Sequence, residues 1–101
     1  MTRIRAASLG DFDGSGLLQR EVGGRKILLV VCDGGVSAFE DRCCHLGLPL
    51  GGGRLEGSTL ICPAHEWEYD VRTGRGVNPA SACLKMFPVT VDRDEILVDV
   101  P

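Results

Sequence analysis

Apolar residues in this chain fall into short segments separated by turn-forming clusters. Strand signals of four to seven residues occupy Gly16–Arg20, Lys26–Cys32, Val36–Phe39, Thr59–Cys62, Lys85–Val91 and Glu95–Val100. The last two partly alternate apolar with polar positions, the period of a strand with one buried face, whereas Lys26–Cys32 is almost continuously apolar. Turn chemistry punctuates them at hairpin intervals: Asp33-Gly34-Gly35, Gly51-Gly52-Gly53, Glu56-Gly57-Ser58, Thr73-Gly74-Arg75-Gly76 and Asp92-Arg93-Asp94. The pattern predicts an antiparallel β sandwich or barrel. A single helical turn is expected where Ser8 caps Leu9-Gly10-Asp11-Phe12, with Gly10 opposing any longer helix. No repeat, linker or low-complexity tract interrupts the chain.

Composition narrows this picture. With 101 residues, 44% of them apolar, the chain is expected to form one small domain spanning 1–101. Fourteen glycines against five aromatic residues suit an all-β protein with many turns. Eleven Lys and Arg against fourteen Asp and Glu give a formal charge of −3, which argues against a nucleic-acid partner and suits a basic protein surface. No apolar run is long enough to cross a bilayer, and Met1–Arg5 lacks the hydrophobic stretch of a signal peptide. The expected location is cytoplasmic, away from any membrane. There five cysteines, an odd number, would be reduced thiols, pointing to metal chemistry or burial instead of disulfides.

Both histidines lie beside cysteines, in Cys43-Cys44-His45 and Cys62-Pro63-Ala64-His65, with sixteen residues between His45 and Cys62. Each half offers one thiolate and one imidazole, and the two halves make a four-ligand set. Structural zinc accepts two Cys and two His, but its usual fingers place the cysteines in one half and the histidines in the other. A catalytic Cys–His pair fits less well, because there are two equivalent pairs and no obvious third group to orient the base. A Rieske [2Fe–2S] centre, with two thiolates on one iron and two imidazoles on the other, accounts for all four residues.

At these residues the sequence resembles the Rieske ferredoxin family. The likeness runs from Cys43-Cys44-His45-Leu46-Gly47 through Gly51-Gly52-Gly53, Leu60–Asp70 and Thr73-Gly74 to Phe87-Pro88-Val89, about half of the chain. It implies three stacked antiparallel sheets, with two loops within about 42–70 forming a cluster-binding subdomain at one end. It further implies that Cys43 and Cys62 bind the inner iron, and His45 and His65 the outer one. Two neutral imidazoles in place of two thiolates leave the oxidised centre about two charges less negative, which favours electron uptake.

Departures from the family pattern refine the expectation. Rieske subunits of respiratory complexes have two further loop cysteines; Leu48 and Ala64 stand at those positions here. Trp67 stands where those subunits have a serine that donates to a bridging sulfide, so the potential should lie towards the lower end of the Rieske range. Tyr69 matches a tyrosine that bonds a ligand sulfur. Cys44 is expected to be structural or solvent-facing, Cys32 to be buried packing, and Cys83 has no assigned role. The glycines at 51–53 suit a sharp turn beneath the cluster, since no Gly-Lys-Ser/Thr follows to make a phosphate loop. The acidic residues Asp11, Asp13, Asp92, Asp94 and Glu95 read as solvated turns, lacking the rest of a calcium loop.

No flavin or nicotinamide fingerprint accompanies the motif, so the expected role is electron transfer without catalysis. The resemblance implies a monomeric carrier between a flavin-containing reductase and a terminal oxygenase. Ferredoxins of ring-hydroxylating dioxygenases usually have glycine where Glu66 stands, whereas Gly74–Leu84 is more similar to ferredoxins of diiron aromatic or alkene monooxygenases. Two alternatives are the small Rieske subunit of an assimilatory nitrite reductase and a structural zinc-binding interaction module. Leu46, Leu48, Pro49, Pro63 and Trp67 would collar the docking tip, and Glu66 and Glu68 would steer a basic partner.

Overall fold

A computed structural model describes residues 2–42, 50–63, 66–78 and 84–101. Apart from two single 3-10 turns, Leu9–Asp11 and Leu50–Gly52, the regular structure of these residues is all strand. In chain order the strands are β1 (Thr2–Ser8), β2 (Leu17–Val22), β3 (Arg25–Cys32), β4 (Gly35–Glu40), β5 (Arg54–Glu56), β6 (Thr59–Ile61), β7 (Glu68–Asp70), β8 (Gly76–Asn78), β9 (Met86–Phe87), β10 (Val89–Asp92) and β11 (Glu95–Val100). They form three antiparallel sheets, as expected: an outer sheet β1-β11-β10, a central sheet β2-β3-β4-β9 and a meander β5-β6-β7-β8.

The central sheet is covered on both faces, which explains the continuous apolar run of β3. Side chains alternate across a strand, so a strand buried on both faces needs apolar residues at every position. Leu28 and Val30, with Leu17 and Phe39, join one core cluster with Leu50, Leu60, Cys62, Tyr69 and Val71. Ile27 and Leu29, with Val22, Ala38 and Phe87, join a second cluster with Ala6, Ala7, Ile96, Val98 and Val100 of the outer sheet. On β11 the alternation is clean, with Ile96, Val98 and Val100 inward.

Several local expectations are corrected. Lys85–Val91 is two strands: β9 pairs with β4 in the central sheet and β10 with β11 in the outer one. Pro88 lies between them, unable to donate to a ladder, while its carbonyl accepts from the Asp99 N–H at 3.0 Å. β1 carried no expected strand signal because its pattern is irregular. A register shift between Arg5 and Ala7 turns two successive alanines, Ala6 and Ala7, into the core. Gly23-Gly24, absent from the expected turns, forms the two-residue β2–β3 loop with φ of 58° and 79°. Both positions need left-handed backbone, the demand of a tight hairpin. The turn after Ser8 is a single 3-10 turn, with the Ser8 N–H donating to Asp11 Oδ2 at 2.9 Å.

Candidate metal centre

Register within the meander places Arg54, Ile61 and Glu68, near the two segments expected to bear ligands, at one end of the sheet. Arg54 pairs with Ile61, and Ile61 with Glu68, so these three residues form one row across β5, β6 and β7. The segment 43–49 is followed by the Leu50–Gly52 turn, which leads into Arg54, and residues 62–67 lie between Ile61 and Glu68. One row inward, Leu55, Leu60 and Tyr69 are register partners that belong to, or pack against, the core shared with the central sheet.

Of the four expected ligands, Cys62 lies among the described residues; Cys43, His45 and His65 lie outside them, as do Cys44, Cys83, Leu46, Leu48, Pro49 and Ala64. Cys62 is fully buried at the end of β6, in the core cluster that contains Tyr69. Its N–H donates to the Trp67 carbonyl at 2.8 Å, which ties together the two sides of the segment 63–66. A thiol fixed just past a strand end and shielded from water suits a thiolate ligand of an iron–sulfur cluster. Trp67 is half-buried against this same core cluster and Tyr69 is fully buried within it.

Glu66 adopts φ of 53°, a left-handed conformation that glycine takes without cost. Its exposed carboxylate meets Arg54 Nη2 at 3.2 Å, while Arg54 Nε meets Glu56 at 2.6 Å. The two carboxylates, Glu56 first, raise the Arg54 guanidinium above its ordinary value. Together with Ile61 and Glu68 these residues line a shallow groove of about 250 Å³ beside the ligand row. Pro63, directly after Cys62, is exposed.

The glycine run acts through close approach. None of Gly51, Gly52 and Gly53 has positive φ, but a Cβ on Gly51 would run into the Gln19 side chain, and one on Gly53 into the Ile61 carbonyl. Sequence reasoning passed over Asp41, the one buried charged residue among those described. Its Oδ1 accepts the N–H groups of Leu50 at 2.7 Å and Gly51 at 3.0 Å, and its Oδ2 accepts Gln19 Nε2 at 2.7 Å. Two residues before Cys43, an acid after an apolar strand looks like any solvated turn.

Cys32 is a partial correction, being half-buried at the end of β3 with its Sγ donating to the Gly57 carbonyl at 3.4 Å. Burial, and then the neighbouring Asp33 charge, push its thiol up. Arg72, hydrogen-bonded to Asp33 at 2.6 Å, holds that carboxyl down. Asp13 binds the backbone and hydroxyl of Ser15, and Asp11 faces Arg20, so both serve turns as expected. Among the described residues no three His, Cys, Asp or Glu side chains cluster as a further metal site, and no helix is long and apolar enough to cross a membrane.

Comparison with known proteins agrees with this geometry. The Rieske [2Fe-2S] domain model matches residues 3–88. The ferredoxin component of the alkene monooxygenase system of Xanthobacter autotrophicus is 40% identical over 79 residues, covering 77% of this chain and 65% of that protein, just under two thirds of its length. The solved ferredoxin of carbazole 1,9a-dioxygenase from Nocardioides aromaticivorans IC177 superposes with a TM-score of 0.89 at 29% identity, covering all of both chains. A ferredoxin solved in complex with the oxygenase of carbazole 1,9a-dioxygenase gives 0.83 at 26% identity, over 95% of this chain and 91% of that one. The family match sets the zinc reading aside, and the chain belongs to the Rieske [2Fe–2S] family.

Proposed function

We propose that Cys43 and Cys62 hold one iron and His45 and His65 the other, and that the chain is a one-electron carrier from a flavin-containing reductase to a terminal oxygenase. When bound, the cluster supplies a single reversible electron. The chain's residues do the rest. β6 fixes Cys62 in the core, the Cys62–Trp67 backbone bond ties together the two flanks of the second segment, and the row Arg54–Ile61–Glu68 sets residues near both segments at one end of the meander. That shared row is the observation that carries the reading.

The carrier role is supported by relatives that are named ferredoxin components and by a related ferredoxin seated on its oxygenase. A diiron monooxygenase is the proposed partner, supported by the alkene monooxygenase relative and by Glu66 at a position where dioxygenase ferredoxins carry glycine. The same relatives favour a diffusing carrier over a fixed nitrite reductase subunit. The protein is proposed to act as a cytoplasmic monomer, one domain over 1–101, since both cores share the central sheet. The exposed Glu66 and the groove around it fit a basic partner surface.

Iron analysis with electron paramagnetic resonance of the reduced protein tests the ligand set. Cys43→Ser and Cys62→Ser should lose most of the iron, while Cys32→Ala, Cys44→Ala and Cys83→Ala keep about two irons per chain. Iron lost from the Cys44 variant, or kept in the Cys43 variant, defeats the assignment.

A further inference from the structure

We infer that Asp41 is a positioning residue for the cluster. With Gln19 and the backbone of Leu50 and Gly51 it forms a lock that fixes where the segment carrying Cys43 and His45 leaves the central sheet and where it rejoins the fold. The inference rests on the ligand reading above and extends it to residues that touch no iron.

Three parts of the fold converge on this carboxylate. Asp41 directly follows β4, and its own N–H donates to the Lys26 carbonyl at 3.0 Å, which extends the β3–β4 pairing by one residue. Gln19 comes from β2, across the sheet. Leu50 and Gly51 open the 3-10 turn that leads into β5. One side chain thus ties the residue two before Cys43 to the residues that follow the segment 43–49.

The arrangement is a costly one to build by chance. Asp41 is 7% exposed and Leu50 fully buried, so the Leu50 N–H has no water to turn to if the carboxylate is removed. Among the described residues Asp41 makes no ion pair; its partners are amides, two of them backbone. With the Gln19 NH₂ facing it, the carboxylate satisfies all three at once, two lone-pair sites on one oxygen and a third on the other. Gly51 completes the fit, because the Gln19 amide occupies the space a Cβ would need. A carboxylate serving the general stability of the sheet would not need to stand before the segment 43–49 and take both of its backbone partners from the residues just after it.

Holoprotein variants test the lock through the cluster itself. Asp41→Ala should lose its visible absorption to an iron chelator roughly tenfold faster than the parent, because two backbone donors are stranded. The g-values of its reduced spectrum should shift as well. Asp41→Asn should stay within about twofold, since its amide oxygen accepts both N–H groups and the Gln19 amide can turn to meet its NH₂. Gln19→Ala, which breaks one of the three bonds, should fall between, and it carries the test if Asp41→Ala does not fold. Parent-like bleaching and g-values in the Asp41→Ala or Gln19→Ala variant overturn the lock. So does an Asp41→Asn variant as labile as Asp41→Ala, which would make the charge, not the hydrogen-bond geometry, the working feature. A parent protein without a Rieske signal defeats the ligand reading instead, so the two failures are told apart.

Discussion

Substituting Gly53 by alanine sets the steric reading of the glycine run against a measurement. Its backbone has no positive φ, so any penalty comes from contact alone. The added methyl would meet the Ile61 carbonyl oxygen more than about 1 Å inside the usual carbon contact distance, with Ile61 C and Leu50 O both at 3.1 Å. None of the three is a side-chain tip that can swing away. Relief requires β5 to move off β6 beside the Arg54–Ile61 pair, one residue from Cys62, and to stretch the Gly53 N–H bond to Leu50 O, now 2.9 Å. Overpacking of this kind costs about 1–3 kcal/mol, and rigid backbone on every side places this site near 3. At about 4–8 °C per kcal/mol for a domain of this size, the melting midpoint should fall by roughly 12–24 °C. Gly10→Ala is the matched control, with nothing within 4 Å of its Cβ and no positive φ. It should gain about 0.4–1 kcal/mol from reduced unfolded-state freedom, roughly 2–8 °C. Circular dichroism melts of the two holoproteins in one buffer, with iron per chain measured alongside, read both signs. A Gly53→Ala protein melting within about 2 °C of the parent would refute the reasoning.

Three further outcomes follow from the site and its surroundings. Glu66→Gly should be more stable than Glu66→Ala by about 1 kcal/mol, the reverse of their order in ordinary backbone, because both lose the Arg54 contact and only alanine retains the left-handed strain; denaturant midpoints decide it, and a more stable alanine variant sinks the claim. Cys32 should alkylate slowly at neutral pH, since a thiol pushed up by burial and by Asp33 is less ionised there, and Asp33→Asn should move its rate profile to lower pH; peptide mapping separates it from the other thiols, and an unchanged profile removes the Asp33 contribution. Arg54→Gln leaves Glu56 and Glu66 without their cation, so electron transfer to a basic partner should rise roughly twofold at low salt and return to the parent rate as salt is added; a rate that falls or ignores salt would move the docking surface elsewhere.

Legibility in the sequence depended on how far a residue's role reached. β3 and β11 could be read because their burial is written in their own period, unbroken in one and alternating in the other. β5, β7 and β8 could not, because three-residue strands are defined by their neighbours' hydrogen bonds more than by their own pattern. Pro88 was visible but its effect was not, since only the register shows the strands on either side going to different sheets. The family was legible because a cluster-binding motif demands particular atoms at particular spacings. Asp41 was not, because its value lies in meeting Gln19 and the 50–51 backbone, a meeting that the fold alone arranges.

Thr2 and Val100 are register partners on neighbouring antiparallel strands, so the two ends of the described chain lie about 5 Å apart. They sit on the outer sheet, which meets the central sheet through one core while the ligand-bearing meander meets it through the other. Such a module is a cassette. Spliced between two adjacent residues of a larger polypeptide, or circularly permuted with a short linker joining 2 to 100, it would keep its strand pairing and leave the meander, across the central sheet, untouched. A tether attached at either end would leave from the outer sheet, across the central sheet from the meander.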